Sequence, residues 1–326
     1  MGKQKRSENT YQKINTIFKR DINNIIMPYD GLAVPELEWL RPLKFLASEK
    51  VDGTNIRIEI KPYLSEVNGR VSLYIPIEIK GKTDNAQISK LLEEYMHKTF
   101  ISSDGKSYDG ICDNFIKVIK AFGYEKSVYT TRDSVEGQGW VDCPEVIEKM
   151  LADGYIHKIG SHTINIGTDH EKEIIDYGIT KQPPHFTIYG EGYGKGIQKA
   201  GPHYIKDGVS FRGFDVKYTD PNTKTSMYLN NDKRDAIFDE IGIEKVPDMG
   251  EMTIDEAIEF VKKGFISNIS EDRDFLAEGL VLKTPDGLLT RRGERIIFKV
   301  KHGDFVKYFN KYGTYDKVDQ IVNPNY

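Results

Sequence analysis

Ser48-Glu49-Lys50-Val51-Asp52-Gly53-Thr54-Asn55 is the stretch that decides how this chain is read. An apolar run, Phe45-Leu46-Ala47, precedes it. After it Ile56, Ile58 and Ile60 alternate with Arg57, Glu59 and Lys61, the period-two pattern of a half-buried strand. Lys50 is therefore expected at a tight connection between two strands, where Gly53 can take backbone angles closed to other residues. A lysine held in such a place can lose its proton and attack phosphorus or carbonyl carbon. A solvated lysine in a turn is the commoner meaning of Lys-x-Asp-Gly, so the rest of the chain has to decide.

The 326 residues, 38% hydrophobic and 29% charged, describe a soluble globular protein of one large or two ordinary domains. No apolar run approaches the roughly 20 residues of a membrane-spanning helix. The N-terminus, MGKQKRSENT, lacks the apolar segment of a signal peptide. Cys112 and Cys143 cannot build a disulfide framework or a zinc site, and read as reduced thiols of a cytoplasmic protein. A net charge of -4 argues against a protein that coats nucleic acid non-specifically, but not against an enzyme with a local basic groove.

Along the chain, residues 1–10 read as a basic tail. Ile14, Ile17, Phe18, Ile22, Ile25 and Ile26 predict a helix over 11–27, closed by Pro28. Residues 54–80 predict a hairpin turning at Asn68-Gly69. It delivers Lys80-Gly81-Lys82-Thr83, which is either a solvated basic turn or a phosphate-facing loop. Helices are predicted over 86–99, near 113–122, over 144–152 and over 231–241. Thr253 and Glu256 announce one more by a capping box, with Gly264 as its stop. Residues 100–184 read as an accessory insertion, and the spacing of His157, His162 and His170 fits no metal-ligand pattern on one element.

A strand over 185–191 ends in Glu191, and the glycine-rich run after it is neither a P-loop nor G-x-G-x-x-G in register. Further strands are predicted over 209–216, with Phe214-Asp215 at its end, over 277–283 and over 295–301. In the last of these Ile296, Phe298 and Val300 share one face, and Arg295, Lys299 and Lys301 share the other with Ile297. Two lysines two apart on one face repel unless an anion lies over them. A solvated edge strand is the plain alternative.

In order, Lys50-x-Asp-Gly-Thr-Asn, Glu191 in Tyr-Gly-Glu-Gly, Phe214-Asp215, Glu278-Gly-Leu-Val-Leu-Lys and Lys299-Val-Lys301 form a pattern. It resembles the covalent nucleotidyltransferase superfamily of ATP-dependent DNA ligases, RNA ligases and mRNA capping enzymes. The likeness is greatest to the phage RNA ligase 2 family, through Glu49-Lys50, Gly196-Ile197-Gln198-Lys199 and Ala277-Glu278-Gly279. Asp52 stands where the best-known member of that family has His, and Lys82 where the family has arginine.

The resemblance implies an α+β fold: an ATP-grasp-like ligase adenylation (nucleotidyltransferase) domain of antiparallel sheets flanked by helices. It implies that domain over 31–310 with the insertion at 100–184, a tail and helix over 1–30, and a short C-terminal tail over 311–326 with no OB or helical C-terminal domain. It also implies an ATP-dependent RNA ligase. Lys50 would attack the α-phosphorus of ATP to form lysyl-AMP, AMP would pass to an RNA 5′-phosphate, and a 3′-hydroxyl would seal the strand. Catalysis would fall to Lys50, Lys299, Lys301 and Glu278, with Glu278 placing Mg²⁺ or Mn²⁺. Glu49, Asn55, Lys82, Glu191, Phe214, Lys299 and Lys301 would bind the nucleotide, Glu191 through the ribose and Phe214 by stacking on the adenine. The partners implied are RNA ends, in a nicked duplex or a broken strand. Lys82, Lys195, Lys199, Arg291, Arg292 and Arg295 are expected to form the RNA surface by charge clustering. The alternatives are a DNA ligase, a stand-alone adenylyltransferase, or an inactive RNA-end-binding protein that has kept the fold.

Overall fold

The computed structural model describes residues 9–67, 70–101, 144–168 and 170–322. Its strands are β1 (Asn15–Thr16), β2 (Phe45–Glu49), β3 (Thr54–Ile60), β4 (Tyr63–Val67), β5 (Arg70–Tyr74), β6 (Ile77–Gly81), β7 (Ile156–Gly167), β8 (His170–Ile179), β9 (His185–Gly194), β10 (Val209–Asp220), β11 (Thr225–Tyr228), β12 (Asp248–Met252), β13 (Gly279–Lys283) and β14 (Ile297–Lys301). They form a mixed α/β structure of mainly antiparallel sheets with helices. One five-stranded sheet has the order β1-β14-β13-β2-β12, another β11-β10-β9-β3-β6, and β4-β5 and β7-β8 are separate pairs.

The chain divides into two compact units. The first comprises Met1–Asn55, Glu191–Arg212 and Lys245–Tyr326; the second comprises Ile56–Gly190 and Gly213–Glu244. In the first unit the sheet β1-β14-β13-β2-β12 buries Phe45, Ala47, Leu280, Leu282, Phe298 and Val300 on one side. The helix Ile254–Lys263 packs there because Ile254, Ala257, Ile258 and Val261 recur at i, i+3, i+4 and i+7. Its N-terminus carries the predicted capping box between Thr253 and Glu256. The helices His302–Tyr312 and Asp316–Val322 supply Phe305, Tyr308, Val318 and Val322 to the same core. Part of the stretch expected as a C-terminal tail is therefore core structure.

The helix predicted over 11–27 does not form. Asn15–Thr16 pairs in parallel with β14, and the rest folds through bridges Phe18↔Leu32 and Arg20↔Ile26. Asp21 accepts the backbone N–H groups of Asn23 and Ile25, Asn24 takes a φ of 62°, and Ile22 points to solvent. Polar turn chemistry and an available sheet edge outweigh the helical spacing of the isoleucines.

In the second unit the single hairpin expected over 54–80 is two nested pairs. β3 pairs with β6 and β4 with β5, and Asn68 and Gly69 lie outside the described residues. Pro62 and Pro76, which cannot donate to a ladder, interrupt the two arms one residue out of register, Pro76 falling opposite Lys61, whose N–H donates to the Pro76 carbonyl oxygen. Leu64 and Leu73 join Met150 and Ile156 in a small core of their own. The predicted helices over 144–152 and 231–241 are present, and that over 86–99 runs from Lys90 to Phe100. The one near 113–122 lies outside the described residues. Among the described residues no helix is long and apolar enough to cross a membrane.

Candidate active site

Lys50 follows the end of β2, and its backbone is held on both sides. Its N–H donates to the Gly279 carbonyl oxygen (2.9 Å), and the Asp52 N–H donates to the hydroxyl of buried Tyr204 (3.1 Å). Glu49 is buried, its carboxylate accepting from the Ser267 hydroxyl (2.5 Å) and the Asn268 N–H (2.9 Å). Gly53 is required for space rather than for a left-handed φ: a Cβ there would collide with the Gly192 carbonyl oxygen and lie 2.9 Å from Cγ of Glu191. The reason given by sequence for that glycine was thus the wrong one, although the position was right.

Glu278, one residue before β13, bridges the ammonium groups of Lys50 and Lys301. Burial opposes its ionisation, but the Lys50 charge and hydrogen bonds from both lysines hold its carboxyl below the ordinary range. Lys299 lies between Ile297 and Lys301 on the face of β14 opposite the core residues Phe298 and Val300. It makes no ion pair with any described residue. Burial first, then the charges of Lys50 and Lys301, push its pKa down to about 8. Burial, with the charges of Glu278 and Asp52, raises Glu191 to about 7 against the pull of Lys50 and a Gly53 backbone hydrogen bond. Asp52 is raised too, by burial and by Glu278.

The first unit thus gathers Lys50, Asp52, Glu191, Glu278, Lys299 and Lys301, with Glu49 anchored beside them. In the same unit Asn55 carries a buried side-chain oxygen with no hydrogen-bond partner among the described residues. Lys82 and Phe214 belong to the second unit. Lys82 is exposed, and its carbonyl oxygen accepts from Arg57 (3.3 Å); Phe214 is half-buried on β10, and its carbonyl oxygen accepts from Arg234 (3.2 Å). Lys195, expected on an RNA surface, pairs with Asp207 (2.7 Å). Sequence reasoning missed Tyr204, Ser267 and Asn268, which brace the Lys50 turn from 152 to 219 residues away with no local motif of their own.

Chemically, an ammonium that forms no ion pair with a described residue, beside a bridged lysine pair, is a seat for a polyanion. Both oxygens of Glu278 are committed to lysines, and among the described residues no group of three or more His, Cys, Asp or Glu could hold a metal ion. The described residues therefore offer no cage of protein ligands; a hard cation here would have to arrive with phosphate and water ligands, and would reach Glu278 only by displacing a lysine.

Residues 130–301 match the family model described as RNA ligase, more than half of the chain, and the chain belongs to that family. The match includes Glu191, Glu278, Lys299 and Lys301 and begins beyond Lys50. No curated protein matches the chain. Among solved structures it is similar to Naegleria gruberi RNA ligase with PPi, at 14% identity and a TM-score of 0.39, over 95% of this chain and 64% of that one. A mutant of the same ligase with ATP and Mn matches at 13% identity and a TM-score of 0.39, with the same coverage. The chain spans less than two thirds of the length of these structures.

Proposed function

We propose that this chain is an ATP-dependent RNA ligase of the RNA ligase 2 type, working through lysyl-AMP on Lys50. The observation that carries this reading is the Glu278 bridge between Lys50 and Lys301, with Lys299 beside it in no ion pair with a described residue. Lys50 gives its ammonium proton to solvent as the Glu278 bridge opens, and the amine attacks the α-phosphorus. A P–N bond forms, the bond to pyrophosphate breaks, and the amine proton leaves to solvent. Lys299 and Lys301 hold the negative charge that builds on the phosphate oxygens. Glu191 binds the ribose, and Asn55 sits near the phosphate. Mg²⁺ or Mn²⁺ would neutralise the triphosphate and ease departure of pyrophosphate.

AMP then passes to an RNA 5′-phosphate and is displaced by a 3′-hydroxyl. Phe214 and Lys82 enter this reading by the sequence resemblance alone, and 31–310 is the adenylation domain with 100–184 as its accessory insertion. The test is sealing of a nicked RNA duplex bearing 5′-phosphate and 3′-hydroxyl ends, with ATP and Mg²⁺. Joined RNA from the wild type and none from Lys50→Ala is expected. Preferential sealing of nicked DNA would move the protein to DNA ligation. Labelling by GTP in place of ATP would move it to the capping enzymes.

A further inference from the structure

A cavity of about 560 Å³ opens beneath the connection from β13 to β14, away from the Lys50 turn in sequence and lined by none of the residues that form that site. Its cationic wall is Arg291, Arg292 and Arg295. Neither Arg291 nor Arg292 makes an ion pair with a described residue, although Glu36 and Glu294 line the same cavity. Arg295 is fixed in place: its Nη2 donates to the Tyr11 hydroxyl (2.7 Å), and its guanidinium lies 5.4 Å from the Tyr11 ring centre. Val34 and Ile297 give the cavity an apolar side, and Asn15 an amide at its edge.

From this we infer that the cavity is a second site of the ligase proposed above, one that seats the phosphodiester backbone of a single RNA strand. Three guanidinium groups against two carboxylates leave a small positive balance. That suits a strand carrying one charge per nucleotide better than the crowded charges of a triphosphate. The apolar side and the amide suit a base or sugar between phosphates, a mixture that a bare inorganic anion does not need. Place matters as well. Ile297 lines the cavity and Lys299 is its next neighbour on the same face of β14, about 7 Å along the strand. A strand seated over the arginines is thereby led toward the lysines at which the proposed chemistry occurs.

The test reads binding without catalysis, so failure of Lys50 chemistry would leave it interpretable. Full-length protein, without ATP, is titrated into a fluorescent single-stranded RNA with a 5′-phosphate, and anisotropy is followed across a salt series. Arg291→Ala with Arg292→Ala, both at exposed positions, should weaken binding about tenfold and lower the salt slope by roughly 1. Asn15→Trp, on exposed β1, fills the cavity edge without changing charge and should also weaken binding. Glu294→Gln should tighten it. Wild-type affinity and slope in both the arginine pair and Asn15→Trp would overturn the inference. So would competition by a mononucleotide as effective as that by the oligomer, which would make the cavity a mononucleotide site.

Discussion

Two ionic clusters sit on sheets of this protein, one in each unit, and they are built to opposite ends. In the second unit Arg57 and Glu59 lie on the face of β3 that sequence assigns to solvent, yet both are buried. Arg57 Nε and Glu59 Oε1 are 2.7 Å apart in an ion pair too bent for an aligned hydrogen bond. Arg57 also pairs with Asp84, Glu59 with Lys61 and Lys80, and Glu78 with Lys80 (2.8 Å). Here the surroundings favour charge. The Lys80 hydrogen bond lowers Glu78, and Lys80 is raised, the Glu78 hydrogen bond and Glu59 charge outweighing burial.

In the first unit the balance runs the other way. Glu191 and Asp52 are raised and Lys299 is lowered, each chiefly by burial, so three of the groups around Lys50 are pushed toward neutrality. A network whose members all have partners fixes a strand. A cluster that holds an amine in no ion pair with the described residues stores a demand for an anion, and a protein keeps such a cost where it binds one.

The largest effect should come from breaking the closed network. Arg57→Met leaves a buried carboxylate short of a partner and should cost about 3 kcal/mol in urea unfolding. Next, Lys299→Ala should slow adenylation of Lys50 about a hundredfold, the scale of losing one preorganised charge at a developing anion, with little change in unfolding. Single-turnover labelling measures it. Gly53→Ala forces the Lys50 turn away from Gly192 and should cost about 2 kcal/mol together with a fall in labelling.

The smallest effect sharpens the contrast by pH. Glu191 titrates near 7 when folded, above its unfolded value of 4.5, so the folded state holds the extra proton between the two. Its contribution to stability is full below about 4.5 and is lost as pH rises through 7. Glu191→Gln should therefore gain stability over the wild type at pH 8 relative to pH 4.5. The gain should be on the order of 1 kcal/mol, because the side chain keeps partial contact with solvent.

Much of the candidate site was legible because its signals are local. Lys50 with its small neighbours, and Lys299 and Lys301 alternating with core residues, declare a turn and a strand face without knowledge of what lies opposite. The Arg57–Glu59 pair was not legible, since alternation of charged and apolar residues looks the same whether the charged face meets water or other charges. The segment 11–27 misled because its isoleucines fall at helical spacing while Asp21, Asn23 and Asn24 encode a turn. Tyr204, Ser267 and Asn268 could not be found from sequence, since their role exists only once chain segments more than 150 residues apart have met.

The measurement that bears most directly on the uncompensated cluster is the identity of the residue modified by ATP. Protein stripped of bound nucleotide would be incubated with ATP labelled at the α-phosphate and Mg²⁺, denatured, digested, and its labelled peptide sequenced. Label on Lys50, absent from Lys50→Ala and resistant to denaturation, is the predicted result. No label on the wild type, or label on a residue other than Lys50, would contradict the account.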